Sequence, residues 1–320
     1  MSKTITAFAP ASVSNLGCGF DVLGFALDGP GDLVSARLDA GIHSLTIETI
    51  HGDKGILPRD PRENTAGIAV WALLEKISYA GPGIALTIDK KMPFASGIGS
   101  SAASAAAAVK AVNRLLGEPL NLMALLGCVI KAEAFISGSA HADNAAPALF
   151  GGMVLARSVN PLDILQLPVP EDLYYALLYP DVVIKTSEAR DILPLSIPLK
   201  TAVHHWANTA ALVHALHCAD FDLLTRSMQD FIAEPLRSKN IPNFESLKQT
   251  ALENGALTFN ISGSGPAVFA FCRSGKDAAD IAAKLLKVSR DKNVAGIAWS
   301  GAIRSKGAEI LGVKNKNKRK

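Results

Sequence analysis

The sequence predicts an α+β fold in two domains, and three observations carry that expectation. First, residues 33–38, 45–50 and 83–88 alternate branched with smaller side chains, the period of strands. Second, a run of Ser and Ala begins at Ser100 and meets no breaker before Gly117, which reads as a helix. Third, residues 157–171 are punctuated by Pro161, Pro168 and Pro170, and strands and helices alternate again beyond them. A chain of 320 residues divides naturally in two. Its 49% hydrophobic and 19% charged composition suits a packed core and excludes a disordered segment.

Residues 4–9 open the chain as a strand, and 10–27 follow as a segment bent by Gly17, Gly19 and Gly24. Asn15 and Asp21 stand there among apolar neighbours; by themselves they read as turn residues. The stretches 33–38 and 45–50 are expected as antiparallel strands. Asn64 begins a helix to Ile77, with Ile68, Trp71 and Leu74 at helical spacing and Trp71 in the core. The strand 83–88 then runs into a loop in which Gly97 and Gly99 can bring bare backbone against a ligand. Ser100 and Ser101 come next, where the first helical N–H groups lack partners and the dipole is positive, a ready phosphate site. This loop is no P-loop, because Ser100 stands where a Lys is needed. Nor is it a dinucleotide fingerprint, because Glu118-Pro119 and a second helix replace the required acid-ended strand.

That second helix spans 120–138, with Leu122, Leu125, Leu126, Val129 and Ile130 on its apolar side. Glu133 lies late in it, where the dipole disfavours an acid, so a surface ion pair or a bound cation would account for it. The loop 137–144 crowds together His141, Asp143 and Asn144, and 148–156 is expected as a strand closing the first domain. Beyond the prolines come a strand at 174–179, a helix start at 186–188 leading to Arg190, and helices at 199–217 and 221–232. Arg237 precedes a helix near 244–252. Strands 257–261 and 266–271 meet at the tight turn 262–265, and 277–286 with 296–300 complete an alternation of the ferredoxin-like kind.

The net charge of +3 is a property of the end of the chain. Lys314, Lys316, Lys318, Arg319 and Lys320 exceed it by themselves, so the body is slightly acidic. A solvated basic tail is expected, with neither nucleic-acid nor membrane binding. No apolar run has the length of a membrane span and residues 1–10 lack an apolar signal core, which implies a cytoplasmic protein. Cys18, Cys128, Cys218 and Cys272 are too scattered for a zinc site or a disulfide framework. His214 and His217 share a helix face without a carboxylate at helical spacing, so metal ligation is not expected there.

The run Pro93, Phe94, Ala95, Ser96, Gly97, Ile98, Gly99, Ser100, Ser101, Ala102 resembles the Pro-x-x-Ser-Gly-x-Gly-Ser-Ser-Ala motif of the GHMP kinases. Residues 10–27 resemble the first motif of that superfamily in the form that homoserine kinases carry, and 262–265 its third, Gly-rich motif. With Glu133, 141–144, 186–190 and 234–237, the resemblance to the homoserine kinases covers nearly the whole chain. It implies the GHMP kinase fold: an N-terminal ribosomal-protein-S5-domain-2-like domain over 1–160, a C-terminal ferredoxin-like domain over 161–310, and the basic tail 311–320. It implies ATP and Mg²⁺, L-homoserine as acceptor, O-phospho-L-homoserine as product on the route to threonine, and a homodimer. The same fold leaves open a kinase of another small alcohol, such as mevalonate or shikimate, or a non-catalytic ligand sensor.

By that resemblance the nucleotide lies against residues 93–103, Pro93 to Ala103, with Asn64 at the adenine. Ser101 and Glu133 hold the metal, an oxygen pair suited to Mg²⁺. Asp21 suits an ammonium group, and Arg190 and Arg237 suit a carboxylate, together the two ends of an amino acid. The resemblance adds His141 to the carboxylate end, Asn15 to the hydroxyl end and Gly263 to the substrate loop. Asn144 stands where related kinases place an acidic group near the acceptor hydroxyl. Asp143 beside it is expected to face elsewhere, so Glu133, Ser101, Asn144 and Arg190 are expected to act by positioning and charge, without a dedicated base.

Overall fold

The computed structural model describes residues 2–41 and 44–316. Strand β1 (Ser2–Ser14) pairs antiparallel with β2 (Leu23–Asp39), which pairs with β4 (Gly83–Asp89). Strand β3 (Leu45–His51) lies on the far side of β4 and runs parallel to it, so its expected antiparallel setting is corrected. Period-two alternation fixes which face is buried but is blind to the direction of the partner.

Helix α2 (Ser100–Leu115) lies directly on β1 and β2, and α1 (Thr65–Lys76) and α3 (Leu122–Ser137) pack against it and against each other. The alanines from Ala102 to Ala108 on α2 are wholly buried, and their lack of side-chain bulk is what lets the helix axis approach the strands. The expected strand at 148–156 is divided: α4 (Ala145–Phe150) ends at Gly151, and β5 (Met153–Val159) starts only after Gly152. Gly151 has φ +78° and a Cβ there would meet the backbone of Ser305–Gly307 within 2.5 Å, so this turn is made by glycine.

Strand β6 (Leu162–Leu167) folds back on β5, so residues expected to open the second domain extend the first sheet. The second sheet is built from β7 (Tyr174–Pro180), β8 (Asn260–Ile261), β9 (Val268–Cys272) and β10 (Gly296–Ala302) in the order β10-β7-β9-β8, all antiparallel. With α10 (Gly275–Asp291) between β9 and β10, that is the ferredoxin-like order the alternation implied. The expected strand at 257–261 is reduced to β8. The long connection from β7 to β8 carries α5 (Thr186–Asp191), α6 (Leu199–Cys218), α7 (Phe221–Ser227), α8 (Glu234–Arg237) and α9 (Phe244–Glu253). Helix α7 stops five residues short of its expected end, because Asp230 accepts from the amides of Ile232, Ala233 and Glu234 and starts a new turn there.

The chain then returns to the first sheet, where β11 (Glu309–Lys316) pairs with β1. Lys314 and Lys316, expected in a frayed tail, therefore belong to a strand; 317–320 lie outside the described residues. Between the sheets the ring of Phe25 on β2 meets Tyr175, Phe269 and Phe271 at centroid distances of 6.2, 5.8 and 5.3 Å. Tyr175 also donates to the Asp28 carbonyl at 2.7 Å. This aromatic contact fixes the two sheets against each other and so sets the walls of the cleft described next.

Candidate active site

The phosphate-loop residues take the conformation their sequence invites. Gly97 and Gly99 have φ of +79° and +66°, and Gly99 caps α2 without any side-chain bond to its first amides. A Cβ at Gly99 would lie 2.2 Å from Ser12 Oγ and 2.8 Å from Asn144 Oδ1, so only bare backbone fits between them. The first amides of α2 thus face a cavity of about 590 Å³ with no acid in the first turn to occupy them. Ser262 Oγ donates to the Gly97 carbonyl at 2.6 Å and Ala267 N to the Ser96 carbonyl at 3.2 Å, so the 262–265 turn braces this loop from the other sheet.

Phe94, Ala95, Ser96, Gly97, Gly99, Ser100 and Ser101 line the cavity, as expected of a nucleotide loop. Pro93, Ile98, Ala102 and Ala103 do not. The Pro93 carbonyl receives Ser96 Oγ at 2.7 Å, while Ile98, Ala102 and Ala103 are fully buried beneath the loop. They support the cradle from beneath and beside it. Asn64 caps α1, accepting from Ala66 N and donating to the Pro58 carbonyl, both at 3.0 Å. It also lines the cavity, beside Leu57, Pro58 and Thr65.

Ser101 and Glu133 meet although they come from different helices: Ser101 Oγ donates to Glu133 Oε1 at 2.7 Å. Asn144 is clamped by Ser12 Oγ donating to its Oδ1 at 2.9 Å and by its own Nδ2 donating to Ser14 Oγ at 2.9 Å. Asn15 is held as firmly, donating to the Gly263 carbonyl at 2.8 Å and accepting from Asp21 N at 3.0 Å. Its amide orders these loops while the residue lines the cavity. Arg237 is only 4% exposed and donates to the carbonyls of Ala189 and Gly263 at 3.1 and 2.9 Å. His141 Nδ1 lies 3.0 Å from the Ser139 carbonyl. Asn15, Asp21, Glu133, His141, Asn144, Arg190, Arg237 and Gly263 all line the one cavity.

A Gly-rich loop, an oxygen pair and a set of charged side chains thus share one cleft, and comparisons with known proteins say which family carries it. The GHMP kinases N terminal domain matches residues 64–152 and the GHMP kinases C terminal domain residues 211–291. The chain is 45% identical over 320 residues to the homoserine kinase of Chlorobaculum tepidum, covering 97% of this chain and 98% of that one. It is 43% identical to that of Chlorobium phaeobacteroides, at 97% and 100% coverage. The crystal structure of homoserine kinase from Cytophaga hutchinsonii superposes with a TM-score of 0.93 at 44% identity, covering 96% and 97% of the two chains. The chain belongs to the homoserine kinase family of the GHMP kinases. Its GHMP kinase fold, with N- and C-terminal domains, is the one expected.

In this homoserine kinase family member, three features of the cleft were not anticipated. Asp143, expected to point away, lines the cavity at 1% exposure, because the chain turns before α4 and brings 143 and 144 to the same side. Burial pushes its carboxyl up to about 6, against the lowering influence of His141 and Ser14. Lys90 and Asp32 form a buried ion pair under the loop. Lys90 Nζ also donates to the Ser100 carbonyl at 2.9 Å and Ser104 Oγ at 2.8 Å, while Asp32 accepts from Lys91 N at 2.9 Å. This pair locks the first turn of α2 to β2 and the end of β4. Strand β2 also carries Asp28, Arg37 and Asp39, so nothing local in the sequence singles out Asp32 as the buried partner. Third, Asp21 and Arg190 pair with each other.

Burial raises the Glu133 carboxyl, opposed by Ser101, His141 and Lys90. An all-oxygen pair whose charge is disfavoured without a cation fits Mg²⁺. The cradle formed by Gly97 and Gly99 likewise fits a phosphate chain, its bare backbone packed where a side chain would collide with neighbouring atoms.

Proposed function

We infer that this chain phosphorylates the side-chain hydroxyl of L-homoserine with ATP, giving O-phospho-L-homoserine and ADP. The observation that carries the reading is the single cavity in which the start of α2 and the Ser101–Glu133 pair share walls with Asp21, Arg190 and Arg237. The identity of 43–45% over nearly the full chain supports it.

In this reading the first sheet with α1 to α4 is the nucleotide half. The amides at Gly99–Ser101 hold the phosphates, the apolar wall near Leu57 and Pro58 takes the base, and Asn64 stands at its edge. Ser101 and Glu133 would hold a Mg²⁺, which when bound neutralises charge on the transferring phosphate. Arg190 and Arg237 bind the substrate carboxylate, Asp21 its ammonium, and His141 closes that end. Asn144, fixed by Ser12 and Ser14 against Gly99, orients the acceptor hydroxyl toward the phosphate. Catalysis rests on this positioning and on the preorganised positive field of the helix start. A cytoplasmic homodimer is the setting that the family resemblance implies. Among the described residues no helix is long and apolar enough to cross a membrane.

An ADP-release assay tests the reading with L-homoserine, D-homoserine and mevalonate as acceptors. Turnover is expected with L-homoserine and to be lower with the other two by about a hundredfold or more, the scale of a misplaced charged contact. Equal rates with mevalonate, or none with L-homoserine, would reject it.

A further inference from the structure

Asp21 and Arg190 already satisfy each other. Arg190 Nη1 donates to Asp21 Oδ2 at 3.1 Å, and Nη2 donates to Oδ1 at 3.0 Å and to Oδ2 at 3.1 Å. Both carboxylate oxygens are thus engaged by one guanidinium. The partners come from separate parts of the fold: Asp21 from the β1–β2 connection and Arg190 from α5 in the β7–β8 connection. Both side chains keep 30% of their surface exposed and line the cavity. Asp21 is fixed in place, its amide bonded to Asn15 and its φ at +59°. The Arg190 and Arg237 guanidinium groups lie 5.9 and 5.3 Å from the centre of the Phe20 ring. Two cations therefore crowd one aromatic ring, while the charge-assisted bonds between them and Asp21 belong to Arg190 alone.

We propose that this ion pair is a specificity device that opens by exchange: an amino acid's ammonium takes Asp21 while its carboxylate takes Arg190 together with Arg237. The proposal rests on the amino-acid kinase reading above and says how that site rejects other alcohols. A zwitterion replaces one internal pair with two external ones, so no charge is left without a partner. A ligand carrying only a carboxylate draws Arg190 away and strands Asp21 in a part-buried wall. A ligand carrying only an ammonium strands Arg190. An ionic group left unpaired out of bulk water costs more than the bond that was lost, so each single-charge alcohol is penalised twice.

This makes a crossed expectation that simple loss of a contact does not. Steady-state kinetics are measured for L-homoserine, 4-hydroxybutyrate (no ammonium) and 3-amino-1-propanol (no carboxylate), on the wild type, Asp21→Asn and Arg190→Gln. In the wild type both analogues are expected to fall about a hundredfold or more below L-homoserine in kcat/KM. In Asp21→Asn, L-homoserine should fall about tenfold or more. In the same variant 4-hydroxybutyrate should rise severalfold above its wild-type value, because Arg190 no longer has an internal partner to abandon. Arg190→Gln should show the mirror image, with 3-amino-1-propanol rising. If neither analogue gains in the variant that frees its partner, the exchange is wrong while wild-type turnover of L-homoserine leaves the kinase reading standing. If the wild type does not turn over L-homoserine, both fall. Should one variant fail to fold, the other decides, since each tests one half of the same pair.

Discussion

The carboxyl of Asp143 is almost wholly enclosed, and burial raises it from 3.8 in the free side chain to about 6. The folded protein therefore holds this proton more tightly than the unfolded chain does. From about pH 4 to about pH 6 the native state binds the extra proton, and stability from this group declines as pH rises through that window. Above it, keeping the ionised carboxylate inside costs on the order of 3 kcal/mol. Asp143→Asn is expected to remove that cost. Thermal unfolding of both proteins from pH 4 to 8 should show the variant gaining on the wild type as pH rises, most of it by pH 7. Glu133 and Glu234 are also raised by burial, but they are present in both proteins and cancel in the difference. A difference in Tm independent of pH would mean that Asp143 is solvated in solution. The residue also marks a limit of reading side chains from sequence. Glu133 was legible because a helix dipole argues against an acid at that place, a local rule; its pairing with Ser101 was implied by the family resemblance. Which way Asp143 points depends on the turn that precedes α4, and no neighbour in sequence fixes that.

Among the elements, the loop at the start of α2 is the one whose geometry leaves least freedom. Gly99 combines a positive φ with contacts to Ser12 and Asn144 that a methyl group would violate. Gly117 has a positive φ of +87° with nothing within 4 Å of its absent side chain, and so separates strain from collision. Gly99→Ala is expected to lower stability by about 1–3 kcal/mol and to cut kcat/KM for ATP at least about tenfold, as Asn144 and the cradle are pushed apart. Gly117→Ala should cost about 1–2 kcal/mol of strain and leave kinetics unchanged. Equal kinetics in the two variants would contradict the close fit at Gly99. The loop, the alanine helix and the ferredoxin-like alternation could all be read from periodicity and breakers, which are local. The parallel setting of β3 and the Lys90–Asp32 pair could not, because both depend on partners tens of residues away.

At the scale of the whole molecule, the two sheets whose elements line the cleft are held together by Phe25 against Tyr175, Phe269 and Phe271. In the proposed reading, the first sheet's side of the cleft presents amides for phosphates, and the connections of the other sheet present arginines for a carboxylate. Strands β6 and β11 return to the first sheet from either side of the second, so the two halves are tied covalently at both ends. The division expected at residue 160 missed this, because composition alone does not reveal which sheet a strand will join. The central claim is that phosphates, metal and amino acid occupy one cavity in that order from α2 to Arg237. A crystal structure with a non-hydrolysable ATP analogue, Mg²⁺ and L-homoserine tests it most directly. The expected result has the phosphates on the amides of Gly99–Ser101, Mg²⁺ reached by Ser101 and Glu133 directly or through one water, and the homoserine carboxylate on Arg190 and Arg237. Nucleotide bound elsewhere, or a metal held without Glu133, would contradict the account.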